Sequence, residues 1–574
     1  MKHKKHILCA TLGSCVHIAG IFNFMQISQE QGYKTTFLRP PNTIENIIKE
    51  IKRIDPDIVA LSYRLTPKVA VEIVSKLIDK ITPKMREKEW IFGGTSPVCK
   101  SIEPMGLFNH FFTGQSSEID VIEYLRNSRF PSKEEKVYAT NLLDRLKAYY
   151  PYPLIRAHFG VPSVEVTFKG IKTIALAKVI DILSIGPDQN FQEHFFCPEE
   201  MKVLEQGAGG VAIRSKEDLI NFYEASKNGN FPLLRCYSGT RNLIQMAELL
   251  KNTINNVWGA TPLFWYSELD GRSSRTLQSA IKENQENMIW HARQNLPFES
   301  NESHHWSLRS APDVIAVTAA FLGAYNAKKA GIQHYISQMM FDTPLGISPR
   351  FDLAKMIAKT ELIEGLHDKN FKTYRQVRSG LLSFPEDLDL SKGQLASSIQ
   401  IAMFMRPHIV HVVSYCEADH AATPEDIIES AKITRKIILN SIRGLPYVHF
   451  DTKLEEYKSR LISETYHILQ AVQNISEESN MDPLSHPLTL ANAVKIGIFD
   501  APHLKGLKAA CGEIQTSVID GKCITIDPHT DLILSEFDRL NRILEKNGFP
   551  LLKNELKHQN TTQIQRKLFT SPFN

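Results

Sequence analysis

The chain has 574 residues, more than one hydrophobic core usually organises, so we expect two or more domains. Its composition is ordinary, with 43% hydrophobic and 23% charged residues, which argues against disorder, collagen-like repeats and coiled coil over most of its length. Because 67 basic residues face 63 acidic ones, the net charge of +4 gives no indication of a nucleic-acid or membrane partner.

The N-terminus permits two interpretations. Lys2, Lys4 and Lys5 precede the apolar run ILCATLG, as the charged and apolar regions of a signal peptide would. We favour a first β-strand, because Ser14 and His17 interrupt the run and no small-residue cleavage site follows it. No other segment reaches the ~18 consecutive apolar residues that a membrane helix needs, so we expect a soluble, cytoplasmic protein.

Residues 1–127 alternate short apolar runs with amphipathic stretches. This alternation predicts a flavodoxin-like, doubly wound domain, in which helices cover both faces of a parallel sheet. The predicted strands are 6–11, 34–38, 57–63, 90–94 and 110–113, and the predicted helices lie near 18–32, 43–54, 67–81, 97–107 and 117–126. Ligands bind such sheets on the loops that follow the carboxyl ends of the strands, so these loops hold the candidate site.

Three of these loops carry a pattern in chain order. The loop after the first strand has the sequence GSCVHIAG (13–20), the loop after the third has LSYRLTP (61–67), and the fourth strand ends in Gly93 and Gly94. Together they resemble the cobalamin-binding domain of glutamate mutase, methionine synthase and related enzymes, whose pattern is D-x-H-x-x-G, then S-x-L, then G-G. The resemblance covers about the first fifth of the chain.

The resemblance implies a cobalamin site. In that family the His replaces the cofactor's own lower base as cobalt ligand, here His17, and the nucleotide tail inserts into the sheet edge. A neutral imidazole suits a transition metal, and glycines allow the backbone to approach a bulky group closely. The residues that the resemblance assigns to the cofactor are Ser14, Cys15, His17, Gly20, Ser62, Leu65, Thr66, Gly93 and Gly94.

Cys15 departs from the family pattern, because it stands where the family has an Asp that orients the His. A metal-bound His normally donates its other N–H to a carboxylate or carbonyl. We therefore expect the partner of His17 to be Ser14, a backbone carbonyl or a water. Either the cobalt bond is tuned differently, or His17 does not bind cobalt; the alternative is a flavodoxin-like domain in which His17 only caps a helix.

A longer strand–helix alternation follows over 151–443, after a charged, helical stretch at 128–150 that we interpret as a linker. The candidate strands are 153–159, 179–186, 232–238, 257–265, 297–301, 334–340, 372–379 and 408–415, with helices most evident at 215–226, 243–253, 277–294, 313–330, 353–365 and 424–442. Eight such units favour a TIM barrel over a doubly wound sheet. Residues 444–574 predict an α+β extension with a long helix near 453–475, a hairpin around 518–523 and a frayed end.

Polar residues at the carboxyl ends of the barrel strands are the candidate catalytic residues, because TIM-barrel chemistry occurs at that face. The densest segment supplies Glu299, Glu302 and His304 for acid–base work or for hydrogen bonding to substrate. We favour these roles over a metal site, because the adjacent histidines point in different directions. The arginines whose planar fork matches a substrate carboxylate are Arg235, Arg241 and Arg272.

A cobalamin domain joined to a barrel fits three chemistries, which the sequence ranks. Cobalamin-dependent radical-SAM enzymes need a C-x3-C-x2-C triplet, and the eight scattered cysteines contain neither that triplet nor a CxxC pair. Methyltransferases of the methionine synthase type place a four-helix cap before the domain, for which we see no room, and the barrel has no Cys-based zinc motif. We therefore expect an adenosylcobalamin-dependent mutase, similar in its barrel and extension to the catalytic chain of glutamate mutase.

This interpretation implies homolysis of the cobalt–carbon bond, hydrogen abstraction by the deoxyadenosyl radical, rearrangement and hydrogen return. The expected cofactor is cobalamin, with adenosylcobalamin favoured, the expected partner is a small acidic substrate, and the chain allows a homodimer. The alternatives are a corrinoid-dependent methyltransferase and a non-catalytic cobalamin-binding or sensory protein. A sensor would not need so polar a barrel mouth, which counts against it.

Overall fold

The computed structural model describes residues 5–114, 116, 118–129, 138–446, 451–478 and 480–553. Within them the chain forms mixed α/β structure with parallel sheets and divides into two compact units, Met1–Val137 and Tyr138–Asn574. Lys2, Lys4, residues 130–137 of the predicted linker and the predicted frayed end all lie outside the described residues. No helix in the described ranges combines the length and the apolar character needed to cross a membrane.

The first unit contains a five-stranded parallel sheet in the order β2-β1-β3-β4-β5. Its strands are β1 (His6–Thr11), β2 (Lys34–Leu38), β3 (Ile58–Tyr63), β4 (Glu89–Gly94) and β5 (His110–Phe112). Its helices are α1 (Ala19–Glu30), α2 (Ile44–Ile54), α3 (Pro67–Lys80), α4 (Pro83–Arg86), α5 (Ser96–Ile102) and α6 (Glu118–Arg129). All five predicted strands occur, each within one residue of its predicted limits.

The central strand of this sheet is β3, whose residues are all buried, as its run of apolar residues predicts for a strand covered on both faces. The register places Ser62 of β3 beside Thr11 of β1 and Gly93 of β4. Helix α1 contacts α6, and α3 contacts α2 and α5. The predicted helix 97–107 ends early, at Ile102, because Pro104 cannot supply the amide hydrogen that a continued α-helix needs.

The second unit contains eight parallel strands in the order β8-β7-β6-β13-β12-β11-β10-β9. They are β6 (Leu154–Phe159), β7 (Ile182–Ile185), β8 (Leu233–Cys236), β9 (Gly259–Ala260), β10 (Phe298–Glu299), β11 (His334–Phe341), β12 (Lys372–Ser379) and β13 (Ile409–Val412). This order is that of a ring opened between β8 and β9, which share no ladder within the described ranges. The two edges still meet, because Val257 N, just before β9, donates to Leu234 O of β8 at 3.0 Å.

Helices occupy the intervals between these strands, and all six barrel helices predicted from the sequence are present. The helices from the start of the unit to the end of the strand series are α7 (Leu142–Tyr149), α8 (Val164–Ala177), α9 (Gln189–His194), α10 (Lys216–Ser226), α11 (Leu243–Ile254), α12 (Leu277–Arg293), α13 (Glu302–Ser307), α14 (Asp313–Lys329), α15 (Pro349–Glu364), α16 (Leu388–Ala402) and α17 (Pro424–Ile442).

The fourth predicted barrel strand, 257–265, is much shorter than expected. Strand β9 ends at Ala260, and the amides of Leu263 and Phe264 donate to the Glu302 carboxylate, at 2.5 and 3.1 Å, instead of to a neighbouring strand. The apolar residues that predicted a long strand are therefore buried in an irregular segment, because a buried carboxylate satisfies its backbone donors.

The end of the predicted linker belongs to the second unit. Arg145 of α7 is fully buried and donates to the carbonyl oxygens of Ala139 and Phe231, both at 2.8 Å from Nη2. Bonds of this kind fix α7 against the loop before β8, so residues 138–149 are packed structure and not a free connection.

The C-terminal segment packs onto the helices of the same unit. It contains α18 (Thr452–Asn474), α19 (Pro487–Lys495), strands β14 (Gln515–Ile519) and β15 (Lys522–Ile526), and α20 (Glu536–Lys546). The predicted hairpin is confirmed: Asp520 and Gly521 both have positive φ, as a tight two-residue turn requires. The amide of Cys523 donates to Asp313 Oδ2 of α14 at 3.1 Å, and α18 contacts α14 and α15.

Candidate functional site

The first unit has a cavity of about 360 Å³ at the carboxyl ends of β1, β3, β4 and β5. The residues that line it are His17, Gly20, Ile21, Asn23, Phe24, Ala60, Leu61, Ser62, Arg64, Ile91, Gly93, Gly94, Thr95, Ser96, Phe112, Thr113, Gly114, Ser116 and Val121. The lining is apolar toward the sheet and polar at the loops. Its size and mixed lining are those of a small-molecule or cofactor site.

His17 lies at the mouth of this cavity, two residues before α1 begins. Its Nδ1 is 3.8 Å from the sulfur of Cys15, a buried residue, so the partner that we expected from Ser14, a carbonyl or a water is the cysteine itself. If the ring donates Nδ1–H to the sulfur, the lone pair of Nε2 is free to bind a metal. The residue that replaces the family's Asp thus keeps a contact with the imidazole, although sulfur is a weaker acceptor than a carboxylate.

The Ser62 hydroxyl is the clearest polar feature inside the cavity. Ser62 is 5% exposed, and its Oγ has no hydrogen-bond partner among the described residues. A buried hydroxyl without a partner costs free energy, of the order of 1–3 kcal/mol in proteins. The cost is removed when a ligand in the cavity accepts or donates at this atom.

Two glycines of the cavity do different work. A Cβ on Gly94 would lie 2.8 Å from the Tyr63 carbonyl oxygen and 2.9 Å from the Phe92 ring, so β4 can approach β3 this closely only without a side chain. A Cβ on Gly20 would meet no atom within 4 Å, so this glycine leaves space at the start of α1. Gly94 is needed for packing, whereas Gly20 keeps the cavity open.

Five of the nine predicted cofactor residues line the cavity: His17, Gly20, Ser62, Gly93 and Gly94. The other four predicted residues lie outside its lining, since Cys15 is in the core, Ser14 and Leu65 are exposed and Thr66 precedes α3. Lining residues that the sequence analysis missed include Asn23, Arg64, Thr95, Ser96 and Phe112. Position after a strand end was the available signal for Arg64, Thr95 and Ser96.

In the second unit, Glu299 joins residues from several strands. Its Oε2 accepts from Trp258 Nε1 at 2.8 Å and lies 3.4 Å from Arg156 Nη1 and 3.8 Å from Arg235 Nη2. All three charged side chains are at most 2% exposed. Among the described residues no other carboxylate contacts either guanidinium, so two buried cations share one anion. We call Arg156, Arg235, Glu299 and the polar residues below the arginine cluster.

The remaining polar contacts of the arginine cluster come from β6, β7 and β12. Arg156 donates to Ser184 Oγ and Gln376 Oε1, both at 2.8 Å, and lies 3.0 Å from His158 Nε2. Burial and the neighbouring charge of Arg235 lower the pKa of Arg156 to about 9. Arg156 and Gln376, absent from the predicted catalytic set, are thus central contacts of the cluster.

Several polar atoms of the arginine cluster are buried without a partner within the described ranges: Nε and Nη1 of Arg235, Nε2 of Gln376 and Nδ1 of His411. Burial, together with the charge of Arg156, holds the pKa of both His158 and His411 well below its ordinary value, so both rings are neutral near pH 7. The cluster therefore presents unused N–H donors around an excess of positive charge.

Glu302 has a structural contact set. Its Oε1 accepts from Trp306 Nε1 at 2.7 Å, while Oε2 holds the amides of the segment after β9. Burial raises its pKa to about 7 against the effect of these donors. Glu302 therefore fixes the irregular segment after β9, and the structure does not bring it into the arginine cluster.

His304 lines a separate, small cavity of about 10 Å³, room for about one water molecule. Ser300, Ser303 and Gln338 line the same cavity, and each has a buried side-chain oxygen without a hydrogen-bond partner among the described residues. Burial, with Arg378 and Lys359 nearby, lowers the pKa of His304 well below its ordinary value. A neutral His304 at a polar cavity is compatible with hydrogen bonding to a small ligand or water.

The other two predicted arginines lie on the surface. Arg241 pairs with Glu200 at 2.5 Å, with about two fifths of both side chains exposed. The Arg272 guanidinium lies over the Tyr266 ring, 5.1 Å from its centroid, and its side chain is 43% exposed. Of the three arginines proposed for a substrate carboxylate, only Arg235 is brought to the buried strand ends.

No protein-family model matches this chain, and no curated protein matches it. Among solved structures, a cobalamin-binding protein from Desulfitobacterium hafniense is 19% identical over an alignment of 22% of this chain and 58% of that protein, with a TM-score of 0.19. This chain thus matches less than two thirds of that protein's length. The apo form of OxsB, a cobalamin-dependent S-adenosylmethionine radical enzyme, is 9% identical over 99% of this chain and 83% of its own, with a TM-score of 0.19. At these scores neither similarity bears on fold or function.

Proposed function

We propose that this chain is a cobalamin-dependent enzyme, with a flavodoxin-like cobalamin-binding domain followed by a TIM-barrel catalytic domain. One observation carries the proposal: three loops that resemble the cobalamin family in sequence line one cavity, in which the Ser62 hydroxyl is buried without a partner. The strand order 2-1-3-4-5 supports the first assignment, because this order leaves a ligand crevice beside β1 and β3. The meeting of β8 and β9 at Val257 supports the second.

The residues of the first unit fit a cobalamin. His17 would supply the cobalt ligand through Nε2, with Nδ1 held against Cys15. Gly20 and Gly93 leave the cavity wide enough for a bulky nucleotide tail, and Ser62 would give that tail a hydrogen bond. Ligand binding by a neutral imidazole with its second nitrogen engaged is the usual arrangement at a transition metal.

The arginine cluster would bind an acidic substrate. A carboxylate at Arg235 Nε and Nη1 would give these donors the partners that they lack and would balance the second buried cation. Glu299 would orient both guanidiniums. Neutral His158, whose Nε2 accepts from Arg156, would offer Nδ1–H to the substrate, and neutral His411 would offer its unpartnered Nδ1. Burial of the cluster would exclude water from the substrate.

We propose further that the reaction is a mutase rearrangement of a small carboxylate or amino acid, with adenosylcobalamin as the favoured cofactor. When bound, this cofactor supplies the radical chemistry, because its cobalt–carbon bond breaks homolytically. The protein's part is to hold the substrate carboxylate at Arg235 and Arg156, to keep the histidines neutral and to shield the site.

Cofactor binding is tested by incubating the purified full chain with hydroxocobalamin or adenosylcobalamin, removing free corrinoid by gel filtration and recording the visible spectrum. We expect a corrinoid to remain bound. In the reduced protein, isotope-labelled histidine should change the hyperfine splitting of the cobalt paramagnetic resonance, and His17→Ala should abolish that change. Loss of the corrinoid on the column contradicts the function, and an unchanged signal in His17→Ala contradicts the ligand assignment.

The reaction class is tested with the anaerobic holoprotein and a panel of amino and hydroxy acids. A mutase should give a cob(II)alamin–radical signal that depends on substrate and disappears in Arg235→Lys, because lysine cannot reproduce the guanidinium fork. The surface variant Arg272→Lys is the matched control and should retain the signal. Methyl transfer from methylcobalamin to a thiol or folate, without a radical signal, would contradict the mutase and select a methyltransferase.

A further inference from the structure

A second group of chemically reactive side chains lies on the loop between β13 and α17. Cys416, His420 and Asp426 bring one sulfur, one ring nitrogen and one carboxylate oxygen within 4.8 Å of one another. The spacing C-x3-H-x5-D is no recognised motif, so sequence patterns alone do not indicate a zinc site here. The turn after β13 and the first turn of α17 bring the three residues together.

His420 is already held in the orientation that a metal ligand needs. Its Nδ1 lies 2.6 Å from Asp419 Oδ2, and its Nε2 lies 3.3 Å from Asp426 Oδ2. Asp419 accepts Nδ1–H and so fixes the plane of the ring, and a metal bound at Nε2 would take the place of the hydrogen that Nε2 donates to Asp426 Oδ2. This is the usual arrangement of a zinc-bound histidine, with Asp419 as the orienting carboxylate.

One carboxylate oxygen of Asp426, Oδ1, is available to bind a metal. Its Oδ2 accepts from the Thr423 amide, at 3.0 Å, and so caps α17. Its Oδ1 lies 3.1 Å from the Tyr415 hydroxyl, but that hydroxyl lies closer to Glu429 Oε2, at 2.7 Å. A phenol carries a single hydrogen, so a donation to Glu429 leaves Asp426 Oδ1 without a donor at this contact.

The charge around the group favours a cation. Asp419, Asp426 and Glu429 lie along this short segment, and Lys392 pairs with Glu429 at 2.9 Å. Cys416 is fully buried, whereas the His420 side chain is 41% exposed, so the group opens to solvent on one side. A buried thiolate needs a positive partner, and a metal ion would provide it.

We propose that Cys416 Sγ, His420 Nε2 and Asp426 Oδ1 bind one Zn²⁺ ion, with Asp419 as the positioning residue of His420. A sulfur, nitrogen and oxygen set suits Zn²⁺ and not Mg²⁺ or Ca²⁺, which prefer oxygen ligands alone. Ligands around one zinc lie about 3–4 Å apart, and the three groups already lie within 4.8 Å of one another, so a small movement of the side chains completes the set. Binding forms three bonds from protein to zinc and releases two protons to solvent, one from the Cys416 thiol and one from His420 Nε2. The fourth position is left to water.

The test is a zinc titration of the full chain, freed of metal by dialysis against a chelator and in competition with a chromophoric chelator. We expect one equivalent of tightly bound zinc. His420→Ala and Cys416→Ser should lower the affinity at least tenfold, and Asp419→Asn should lower it about tenfold or more, as removal of an orienting carboxylate does elsewhere. Co²⁺ added to corrinoid-free protein should give a thiolate charge-transfer band that Cys416→Ser abolishes.

Cys197→Ser is the matched control, because Cys197 also lies beside two carboxylates, Glu199 and Glu200, but Arg241 already supplies the positive partner of this group, at 2.5 Å from Glu200 and 3.7 Å from the Cys197 sulfur. It should leave zinc affinity and the cobalt band unchanged. His420→Ala decides the outcome if the buried Cys416→Ser variant fails to fold. The proposal is overturned if the wild type does not retain zinc, or if His420→Ala retains it with unchanged affinity.

Discussion

The cavity of the first unit and the arginine cluster of the second differ in charge and in accessibility. The cavity is open and nearly neutral, and its polar atoms come from the loops after strands of one small sheet. The arginine cluster is closed and strongly charged, and its members come from β6, β7, β8, β10, β12 and β13. The cavity leaves space at the strand ends, whereas the arginine cluster leaves one positive charge and several N–H donors without partners among the described residues.

Removing Glu299 should destabilise the arginine cluster more than any other change considered below. Glu299→Ala leaves Arg156 and Arg235 buried with no counter-ion, which we expect to destabilise the second unit by about 3–5 kcal/mol. Denaturant unfolding followed by circular dichroism measures the change. The first unit should be unaffected, and phosphate or a dicarboxylate should restore part of the loss. A change below about 1 kcal/mol would mean that the cluster does not depend on this anion.

Glu302 is a second buried carboxylate of the same unit, but both of its oxygens accept hydrogen bonds from the protein itself. Burial raises its pKa from 4.5 to about 7, so between these values the folded chain keeps a proton that the unfolded chain has lost. Stability should therefore fall as the pH rises through this window, by up to about 3 kcal/mol. Glu302→Gln cannot ionise and should remove this dependence.

The measurement is the unfolding midpoint of wild type and variant at several pH values from 4.5 to 8, compared as a difference. Glu217→Gln, on the exposed surface of α10, is the control and should leave the pH profile unchanged. A Glu302→Gln profile parallel to that of the wild type would show that the carboxylate keeps its ordinary ionisation when folded.

Alanine substitutions at Gly94 and Gly20 distinguish a glycine that close packing requires from one that leaves space in the cavity. Gly94→Ala forces a Cβ against the Tyr63 carbonyl and should destabilise the first unit by about 1–3 kcal/mol. Gly20→Ala lies in α1 with open space around it, so it should stabilise the helix by about 1 kcal/mol while narrowing the cavity. Thermal unfolding and corrinoid retention, measured on both variants, should move in the same direction for Gly94→Ala and in opposite directions for Gly20→Ala.

Ser62→Ala should give the smallest effect. Removing a buried hydroxyl without a partner should stabilise the ligand-free first unit by about 1 kcal/mol, and it should weaken cobalamin binding by up to about tenfold. The control is Ser101→Ala, because the Ser101 hydroxyl donates to Val98 O at 2.7 Å and its loss should not stabilise the protein. Unchanged cobalamin affinity in Ser62→Ala would place the ligand's polar groups elsewhere.

The two regions also differ in how far the sequence could predict them. In the first unit the motif residues are neighbours along the chain, and parallel strands bring their loops to one edge, so five of the nine residues that the motif selected line one cavity: His17, Gly20, Ser62, Gly93 and Gly94. In the second unit the same reasoning selected Arg235 and Glu299, which the structure places together in the arginine cluster. It also selected Arg241 and Arg272, because residues on a strand-end loop can turn either inward or to the surface.

The length of β9 and the partner of His17 both depended on side-chain contacts that strand propensity and hydrophobic periodicity do not predict. Strand β9 stops after two residues because a glutamate from the next strand-end loop takes the amides of Leu263 and Phe264. Cys15 turned out to be the contact of His17 because both residues belong to one tight turn. Neither outcome follows from propensity or periodicity.

Local sequence patterns were enough to predict the alternation of strands and helices, the two parallel sheets of five and eight strands, and several of the loop residues that line the cavity. Hydrophobic periodicity and position after a strand end are properties of short segments, so they can be recognised in a single amino-acid sequence. The folded structure was needed to show which charges meet at Glu299, which arginines stay in solvent, and that Cys416, His420 and Asp426 converge. Those outcomes depend on side-chain directions and on the balance between desolvation and pairing, which are set only when distant segments pack together.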